Sequence, residues 1–222
     1  MDYIHYINYQ LHNLYPSSDF SKELDSQLLH NVKSEADERF EYLAKRVSIL
    51  SRTGSDPDPC HIMKSPLYLY ILARVLYEKN FEDQFNLKNR LYCLNKTLNG
   101  CSIYFKISLP KVFFINYASG VVLGDCSYGE NLVVYQGVTV GGYRDKVPVL
   151  GDNVVLMPNA IVSGSTHLGN NVIVSSGVAV INKIIPDNTI VFNSANRESE
   201  IYMHRITSSS YIDYFINPVA GG

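Results

Sequence analysis

A period of six residues runs through the chain from Leu150 to Ile185. The successive sixes read LGDNVV, LMPNAI, VSGSTH, LGNNVI, VSSGVA and VINKII, and each begins with an aliphatic residue. The fifth place is mostly small or β-branched, and Ile184 is the last residue in it. Because a period of six matches neither the helical 3.6 nor the strand 2.0, the segment is neither an amphipathic helix nor a series of hairpins. It is typical of a parallel β-helix, in which three sixes make one triangular coil and the aliphatic places point inward.

Helical spacing of apolar residues dominates the first hundred residues. It predicts a helix over 1–14 and one or two amphipathic helices over 21–50, with a charged outer face. The run LYLYILARVLY at 67–77 is apolar nearly all round, which predicts a buried helix too short to span a bilayer. A further helix is predicted over 87–98, ended by Asn99-Gly100.

The pattern changes to a β-rich one at Ile103. Sixes begin with VVLGDC, one residue is missing between Leu123 and Tyr128, and the register breaks again at GGYRDKVPV. The charged residues in this stretch, Arg144, Asp145 and Lys146, cannot sit in a coil wall, so the break predicts an excursion loop. Loops of this kind are where repeat scaffolds build functional sites. The polar tail after 192 is expected to cap the open end of the β-helix, because an uncapped coil exposes unpaired strand edges. These patterns predict an α+β protein with an α-helical domain over 1–102, a β-helix over 103–192 and a capping tail over 193–222.

Composition and charge narrow the classes of function. The formal net charge of -2 at pH 7 gives no general nucleic-acid-binding surface. No N-terminal stretch combines a basic region with an apolar one, and no apolar run reaches about 18 residues, so we expect a cytoplasmic protein without a membrane partner. The cysteines lack the spacing of a metal site, so we expect reduced, buried thiols and no metal. They are Cys60, Cys93, Cys101 and Cys126.

Four stretches resemble the serine acetyltransferase family, including its relatives in bacterial capsule and surface-polysaccharide gene clusters. They are the Asp58-Pro59 turn before an apolar helix, LNKTLNGCSIYFKISLPKVFF, the coils from GVVLG through VYQGVTVGG, and the coils through LGNNVIVSSGVAV. Many acyltransferases share the hexapeptide part, whereas the helical domain and the LPK junction narrow the resemblance to this family. The resemblance implies a left-handed β-helix, a homotrimer or dimer of trimers with active sites between subunits, acetyl-CoA as donor, and a small hydroxyl acceptor.

The sequence departs from the family at both expected catalytic histidines. The general-base histidine of the family precedes the first coil, often after an aspartate, and here Tyr117 and Asn116 stand in those two places. The second family histidine lies in the excursion loop, where Arg144 or Val147 falls. A phenol titrates near pH 10, so a tyrosine base would need a cation such as Arg144 or Lys146 close by. The catalytic candidates are therefore Tyr117, Asn116 and Arg144.

Acceptor and cofactor positions also follow from the resemblance. Asp58 matches the family aspartate that binds the serine ammonium, with a turn or N-cap aspartate as the alternative. His61, beside that turn, is a second candidate contact to the acceptor, whereas His167 falls in an outward place of its repeat. Small residues would let the pantetheine of CoA lie against the coil, and a late lysine can meet phosphate. The matching positions are Gly141, Gly142, Asn159, Ala160, Ser175, Ser176, Gly177 and Lys183.

Four interpretations of the missing histidines stay open. The protein is either an active CoA-dependent O-acyltransferase with a rearranged base, or a non-catalytic binding homologue of the same fold. A third interpretation is a structural trimer that regulates a partner enzyme through its tail. The C-terminal Ala220-Gly221-Gly222 argues against it, because such tails in the family end in isoleucine. The fourth is that Tyr117 is an introduced substitution, which the changed neighbours Asn116 and Ala118 disfavour.

Overall fold

A computed structural model describes residues 3–17, 19–81, 86–193, 201–205 and 214–215. Its helices lie in the N-terminal part and match the predicted ones, with the 21–50 segment forming two. They are α1 (Tyr3–Leu14), α2 (Asp19–Ala44), α3 (Ser48–Arg52), α4 (Lys64–Glu78) and α5 (Leu87–Asn99). As predicted, α4 is buried on nearly all sides, and Gly100, with a left-handed backbone, ends α5. None of the helices in the described ranges is long and apolar enough to cross a membrane.

Short strands follow α5 and wind into about five coils. They are β1 (Ser102–Ile103), β2 (Phe113–Asn116), β3 (Val122–Leu123), β4 (Ser127–Tyr128), β5 (Leu132–Tyr135), β6 (Thr139–Gly141), β7 (Val149–Leu150), β8 (Val155–Leu156), β9 (Ile161–Ser163), β10 (His167–Leu168), β11 (Val172–Val174), β12 (Ala179–Ile181), β13 (Ile184–Ile185), β14 (Thr189–Asn193) and β15 (Ile201–Arg205). They form three sheets, ordered β1-β3-β6-β9-β12, β13-β10-β7-β4 and β15-β14-β11-β8-β5-β2. All pairs are parallel except β14 with β15, which gives the left-handed β-helix of hexapeptide repeats.

The inward places of the coils are those that the period of six predicts. The first place of every six is buried, at Leu150, Leu156, Val162, Leu168, Val174 and Val180. The last coil is one residue shorter than three sixes. His167 pairs with Ile184, 17 positions on, whereas Val149 pairs with His167, 18 positions on. Ile184 therefore departs from the other fifth places: its side chain is 79% exposed, and Ile185 occupies the inward place at 1%.

The predicted excursion is confirmed by the pairing register. Thr139 pairs with Ile161, 22 positions on, whereas Ile161 pairs with Ala179, 18 positions on. The four extra residues leave the wall between β6 and β7, and the positions from Gly142 to Val147 are exposed. The charged side chains of GGYRDKVPV thus avoid burial in the coil.

A ladder of asparagines marks one corner of the β-helix. Asn131, Asn153, Asn171 and Asn188 all have left-handed backbone, with φ between 55° and 59°. Each side-chain amide donates to the amide oxygen of the next asparagine, at 2.9 Å, 3.0 Å and 3.0 Å in turn. Asparagine suits this corner because it tolerates the left-handed region and can satisfy its polar groups along the stack.

One hydrophobic core runs through the helices and the coils. In the helical part, Tyr68 of α4 stacks on Tyr3 at 4.9 Å and meets Phe40 of α2 edge to face at 5.6 Å. Tyr70, also in α4, meets Phe113 of β2 at 5.9 Å and so ties this helix to the first coil. The proposed domain boundaries at 102 and 192 stay predictions.

The described residues of the tail contact two separate parts of the chain. β15 pairs with β14 at the last coil, and the capping role of 193–222 stays a prediction. Phe215, however, forms a bridge with Val47 beside α3, and the ring of Tyr214 lies 6.3 Å from those of both Phe114 and Tyr135. Described parts of the tail therefore contact both ends of the third sheet, and the remainder of 193–222 lies outside the described residues.

The four cysteines are free thiols, but they are not all buried as predicted. Cys60 is exposed, Cys93 and Cys126 are partly buried, and only Cys101 is fully buried. Burial raises the pKa of the Cys101 and Cys126 thiols to about 12.

These raised pKa values predict a loss of stability in alkali. The unfolded chain ionises at Cys101 near its ordinary pKa of about 8.5, whereas the folded chain does so only near 12. The free energy of unfolding should therefore be unaffected by this group below about pH 8 and fall as the pH rises towards 12. We expect a loss of at least about 1 kcal/mol between pH 8 and pH 10 in urea denaturation. Cys101→Ala should flatten this slope and Cys60→Ser should not; an equal slope in all three proteins would contradict the assignment.

Candidate active site

The stretch from Asn116 to Gly120 leaves the end of β2 before the first full coil. Asn116 is partly buried and paired in register with Tyr135 of the next coil. The Tyr117 side chain is 52% exposed, while Ala118 after it is buried. The N–H of Gly120 donates to the carbonyl of Gly100 at 2.9 Å, so the turn is fixed against the end of α5.

Tyr117 and Arg144 share an unusual backbone conformation. Ten non-glycine residues of the described chain have positive φ, and the other eight are asparagines. Tyr117 has φ of 59° and Arg144 has φ of 57°. A bulky residue held in this region costs on the order of 1–2 kcal/mol, and such strain clusters at functional sites. The strain therefore falls on Tyr117, which stands in the place of the family's general-base histidine, and on Arg144, one of the two candidates for the place of the second.

The excursion loop holds Arg144 at its tip. Tyr143 and Lys146 exchange backbone hydrogen bonds of 2.9 Å and 3.2 Å, which makes the loop a tight turn. The guanidinium of Arg144 lies 5.2 Å from the centre of the Tyr143 ring. In the part of the chain that the structure describes, no hydrogen bond or ion pair joins this loop to Tyr117.

Asp58 and His61 both belong to a turn before α4. One carboxylate oxygen of Asp58 accepts from the N–H of Cys60 at 2.9 Å, and Nδ1 of His61 accepts from the N–H of Met63 at 3.3 Å. Asp58 is exposed and His61 is partly buried. The Asp58 carboxylate thus stabilises its own turn, as the alternative interpretation required, and one of its faces stays open to solvent.

Hydrogen bonds connect this turn, 58–61, with the stretch that carries Tyr117. The N–H of Ser65 donates to the carbonyl of the turn's last residue at 3.0 Å. The hydroxyl of Ser65 accepts from Nδ2 of Asn99 at 3.3 Å, and Asn99 is the last residue of α5. Because Gly100 follows and binds Gly120, the acceptor candidates and the stretch that carries Tyr117 belong to one connected region. Ser65 and Asn99 are polar contacts that sequence reasoning missed, because only the packing of α4 on α5 brings them together.

Two of the predicted CoA positions, Gly141 and Gly142, lie at the end of β6 and just after it, and the structure requires glycine at only one of them. A Cβ built on Gly141 would meet nothing within 4 Å, and the backbone does not adopt a positive φ there. A Cβ on Gly142 would lie 2.7 Å from the carbonyl oxygen of Lys146. The turn of the excursion loop therefore requires glycine at 142, whereas the folded chain gives no reason for glycine at 141.

The other predicted CoA positions follow the coils beyond β6. Asn159 and Gly177 occupy one corner, both with left-handed backbone, and Gly177 donates to the carbonyl of Pro158 at 2.9 Å. Ser175 is partly buried, whereas Ser176 and Lys183 are exposed. Ala160 differs, because its side chain is buried and its N–H and carbonyl are both hydrogen-bonded within the wall. Ala160 is therefore a core residue with little to offer a ligand.

The side chain of His167 is exposed, as its place in the repeat predicts. Among the residues that the structure describes, no group of three or more histidine, cysteine, aspartate or glutamate side chains could hold a metal ion.

Comparison with known proteins identifies the class of protein that has this fold. The family described as bacterial transferase hexapeptide (six repeats) matches residues 148–182. Serine acetyltransferase of Staphylococcus xylosus is 28% identical over 130 residues, 56% of this chain and 59% of that protein. Serine acetyltransferase of Synechococcus elongatus is 30% identical over 146 residues, 64% of this chain and 59% of that protein. The chain thus spans about three fifths of the length of these relatives.

Solved structures show the same fold. The crystal structure of Neisseria gonorrhoeae serine acetyltransferase in complex with serine has a TM-score of 0.64 and 20% identity, covering 85% of this chain and 80% of that one. Serine acetyltransferase isoform 3 of Entamoeba histolytica, in complex with cysteine, has a TM-score of 0.60 and 23% identity, covering 90% and 72%. The chain is a hexapeptide-repeat β-helix protein. Within that class, it is related to the serine acetyltransferase family.

Proposed function

We propose that the chain is an acetyl-CoA-dependent O-acetyltransferase that acts on the hydroxyl of a small acceptor, either a serine-like amino acid or a sugar. The observation that carries the proposal is the left-handed backbone of Tyr117 and Arg144. The resemblance assigns Tyr117 to the place of the general-base histidine and Arg144 or Val147 to that of the second. A fold that holds two bulky residues in this conformation sacrifices stability at those positions. The relation to the serine acetyltransferases supports acetyl-CoA as the donor.

In the proposed reaction, the Tyr117 phenolate takes the proton of the acceptor hydroxyl. The hydroxyl oxygen attacks the thioester carbonyl, the carbon–sulfur bond breaks, and the departing CoA thiolate receives the proton from Tyr117. Backbone N–H groups of the coil would stabilise the oxyanion that forms on the way. Asn116 would orient the phenol, and Arg144 would supply the positive charge that favours its anion. This scheme gives Tyr117 the role of general base.

The proposed site lies between subunits of a homotrimer or a dimer of trimers. Tyr117 and the tip of the excursion loop are both exposed, and no hydrogen bond or ion pair joins them among the described residues. A neighbouring copy could present its Arg144 to Tyr117, and the coil wall around Gly141 and Gly177 would hold CoA beside both. Asp58 and His61 would contact the acceptor from the helical side, which suits the open face of the Asp58 carboxylate.

Gly141→Val tests the CoA wall. A Cβ at 141 meets no atom of its own chain within 4 Å, so the melting temperature should stay within about 1 °C, while the Kd for CoA should rise at least about tenfold by steric exclusion. Isothermal titration calorimetry measures the affinity, and size-exclusion chromatography checks the assembly. Ser127→Val, on an exposed strand of another sheet, is the matched control. Unchanged CoA affinity in Gly141→Val would contradict the proposal that CoA binds along this wall.

The alternative is a non-catalytic binding homologue of the same fold. The observation that favours it is the absence of both family histidines. It predicts that the wild-type protein binds acetyl-CoA yet releases no thiol with serine or with a sugar acceptor. Measuring binding and thiol release on the same preparation separates the two functions.

A further inference from the structure

A crevice of about 620 Å³ opens on the helical part, between α2, α4 and the junction 105–111 that leads into β2. Its size falls within the usual range of small-molecule sites. None of the candidate active-site residues lines it. Nothing in the proposed acetyl transfer therefore accounts for this crevice.

The junction wall of the crevice is held in place from two sides. The hydroxyl of Tyr70 donates to the carbonyl of Ile107 at 2.8 Å and accepts from the N–H of Leu109 at 3.1 Å. Arg74 donates to the carbonyls of the preceding residues, 105 and 106, at 3.2 Å and 2.9 Å. At the far end, the carboxylate of Glu130 accepts from the N–H of Lys111 at 3.3 Å. The crevice is thus formed before any ligand arrives.

Most charges on the crevice are neutralised within the chain. The guanidinium groups of Arg39 and Arg74 both bind the carboxylate of Glu78, each at 2.6 Å. The Glu38 carboxylate and the Lys111 ammonium have no hydrogen bond or ion pair with any residue in the described ranges. Glu38 lies on the α2 wall and Lys111 on the junction wall, so one free charge of each sign borders the crevice.

The surface between these two charges is largely apolar. Leu43, Ile71 and Leu109 line it, and the rings of Tyr70 and Phe113 meet edge to face at 5.9 Å. A mostly apolar lining with a few placed polar groups is the usual composition of a ligand site.

We propose that this crevice binds a zwitterion with an apolar body, which is the chemistry of a free apolar amino acid or of a short peptide. The ligand carboxylate pairs with Lys111, its ammonium pairs with Glu38, and its apolar side chain packs on the surface between them. The site is separate from the proposed acetyl transfer and does not depend on it.

Calorimetric titration of the full-length protein with L-phenylalanine and with L-leucyl-L-phenylalanine tests the site. N-acetylphenylalanine keeps only the carboxylate, and phenylalaninamide keeps only the ammonium. We expect each of these to bind at least about fivefold more weakly than phenylalanine. Tighter binding of the dipeptide would identify a peptide site, and tighter binding of phenylalanine an amino-acid site.

Variants test which charged group of the ligand pairs with Lys111 and which with Glu38. Lys111→Met should weaken phenylalanine about fivefold but leave phenylalaninamide unchanged, and Glu38→Gln should weaken phenylalanine but leave N-acetylphenylalanine unchanged. Lys106→Met and Glu23→Gln, at exposed positions outside the crevice, are the matched controls. Asp58→Asn reports on binding at the proposed acceptor site instead. The proposal is overturned if neither zwitterion binds, if the analogues bind equally well, or if Asp58→Asn or a control variant weakens phenylalanine as much as Lys111→Met.

Discussion

Replacing Tyr117 with phenylalanine should lower the turnover of acetyl-CoA by about a hundredfold or more, because the substitution removes only the hydroxyl proposed as general base. The side chain is half exposed and no described contact depends on its hydroxyl, so the melting temperature should not change. Thiol release from acetyl-CoA, followed with a chromogenic disulfide, measures the effect. Removing the proposed cation with Arg144→Met should move the rise of kcat/KM to higher pH, a shift that a purely structural role would not produce.

Tyr9→Phe is the matched control for Tyr117→Phe, since Tyr9 is an equally exposed tyrosine on α1. Undiminished turnover in Tyr117→Phe would contradict the role of Tyr117 as general base. It would not contradict the proposed acetyltransferase activity. A wild-type protein that binds acetyl-CoA and releases no thiol would instead support the binding homologue.

Asn153→Ala should destabilise the protein by about 3 kcal/mol. The change removes two ladder hydrogen bonds, to Asn131 and Asn171, worth about 1 kcal/mol each, and places alanine in a left-handed conformation at a further cost of about 1 kcal/mol. Urea denaturation measures the loss.

Two variants divide this loss into its parts. Asn153→Gly relieves the backbone strain and should cost about 2 kcal/mol, the share of the ladder. Asn80→Ala, at a left-handed asparagine outside the ladder, should cost only about 1 kcal/mol. Equal losses in Asn153→Ala and Asn80→Ala would show that the ladder adds nothing to stability.

The coil core was predictable because the first place of every six is aliphatic, so the period of six is visible in the letters alone. The slip at the last coil was not, since Ile184 and Ile185 are the same residue type and the pattern reads equally well in either phase. Pairing with β10 decides which of them is buried. The asparagine ladder could have been found, because asparagine is, after glycine, the residue that most readily takes the left-handed corner.

The candidate site was predictable only in part. The resemblance marked Tyr117 and Arg144, but neither residue type prefers the left-handed region, so their strain could not be foreseen from composition or period. The crevice escaped sequence reasoning because Glu38, Tyr70 and Lys111 are far apart in the chain and none belongs to a motif with the others. Asp58 matched a family position, yet its hydrogen bond to its own turn is visible only in the structure.

The contacts of Tyr214 and Phe215 bear on how the β-helix unfolds. A solenoid whose coils touch only their neighbours can fray from either end, one coil at a time. Here β15 pairs with the last coil, while the hydroxyls of Tyr214 and Tyr135, 79 positions apart, are hydrogen-bonded near the first. Contacts of the same tail at both ends therefore favour cooperative unfolding, because losing the tail removes contacts from both ends at once. The same connection adds long-range contacts that must form late, so folding should be slower than in a solenoid without a returning tail.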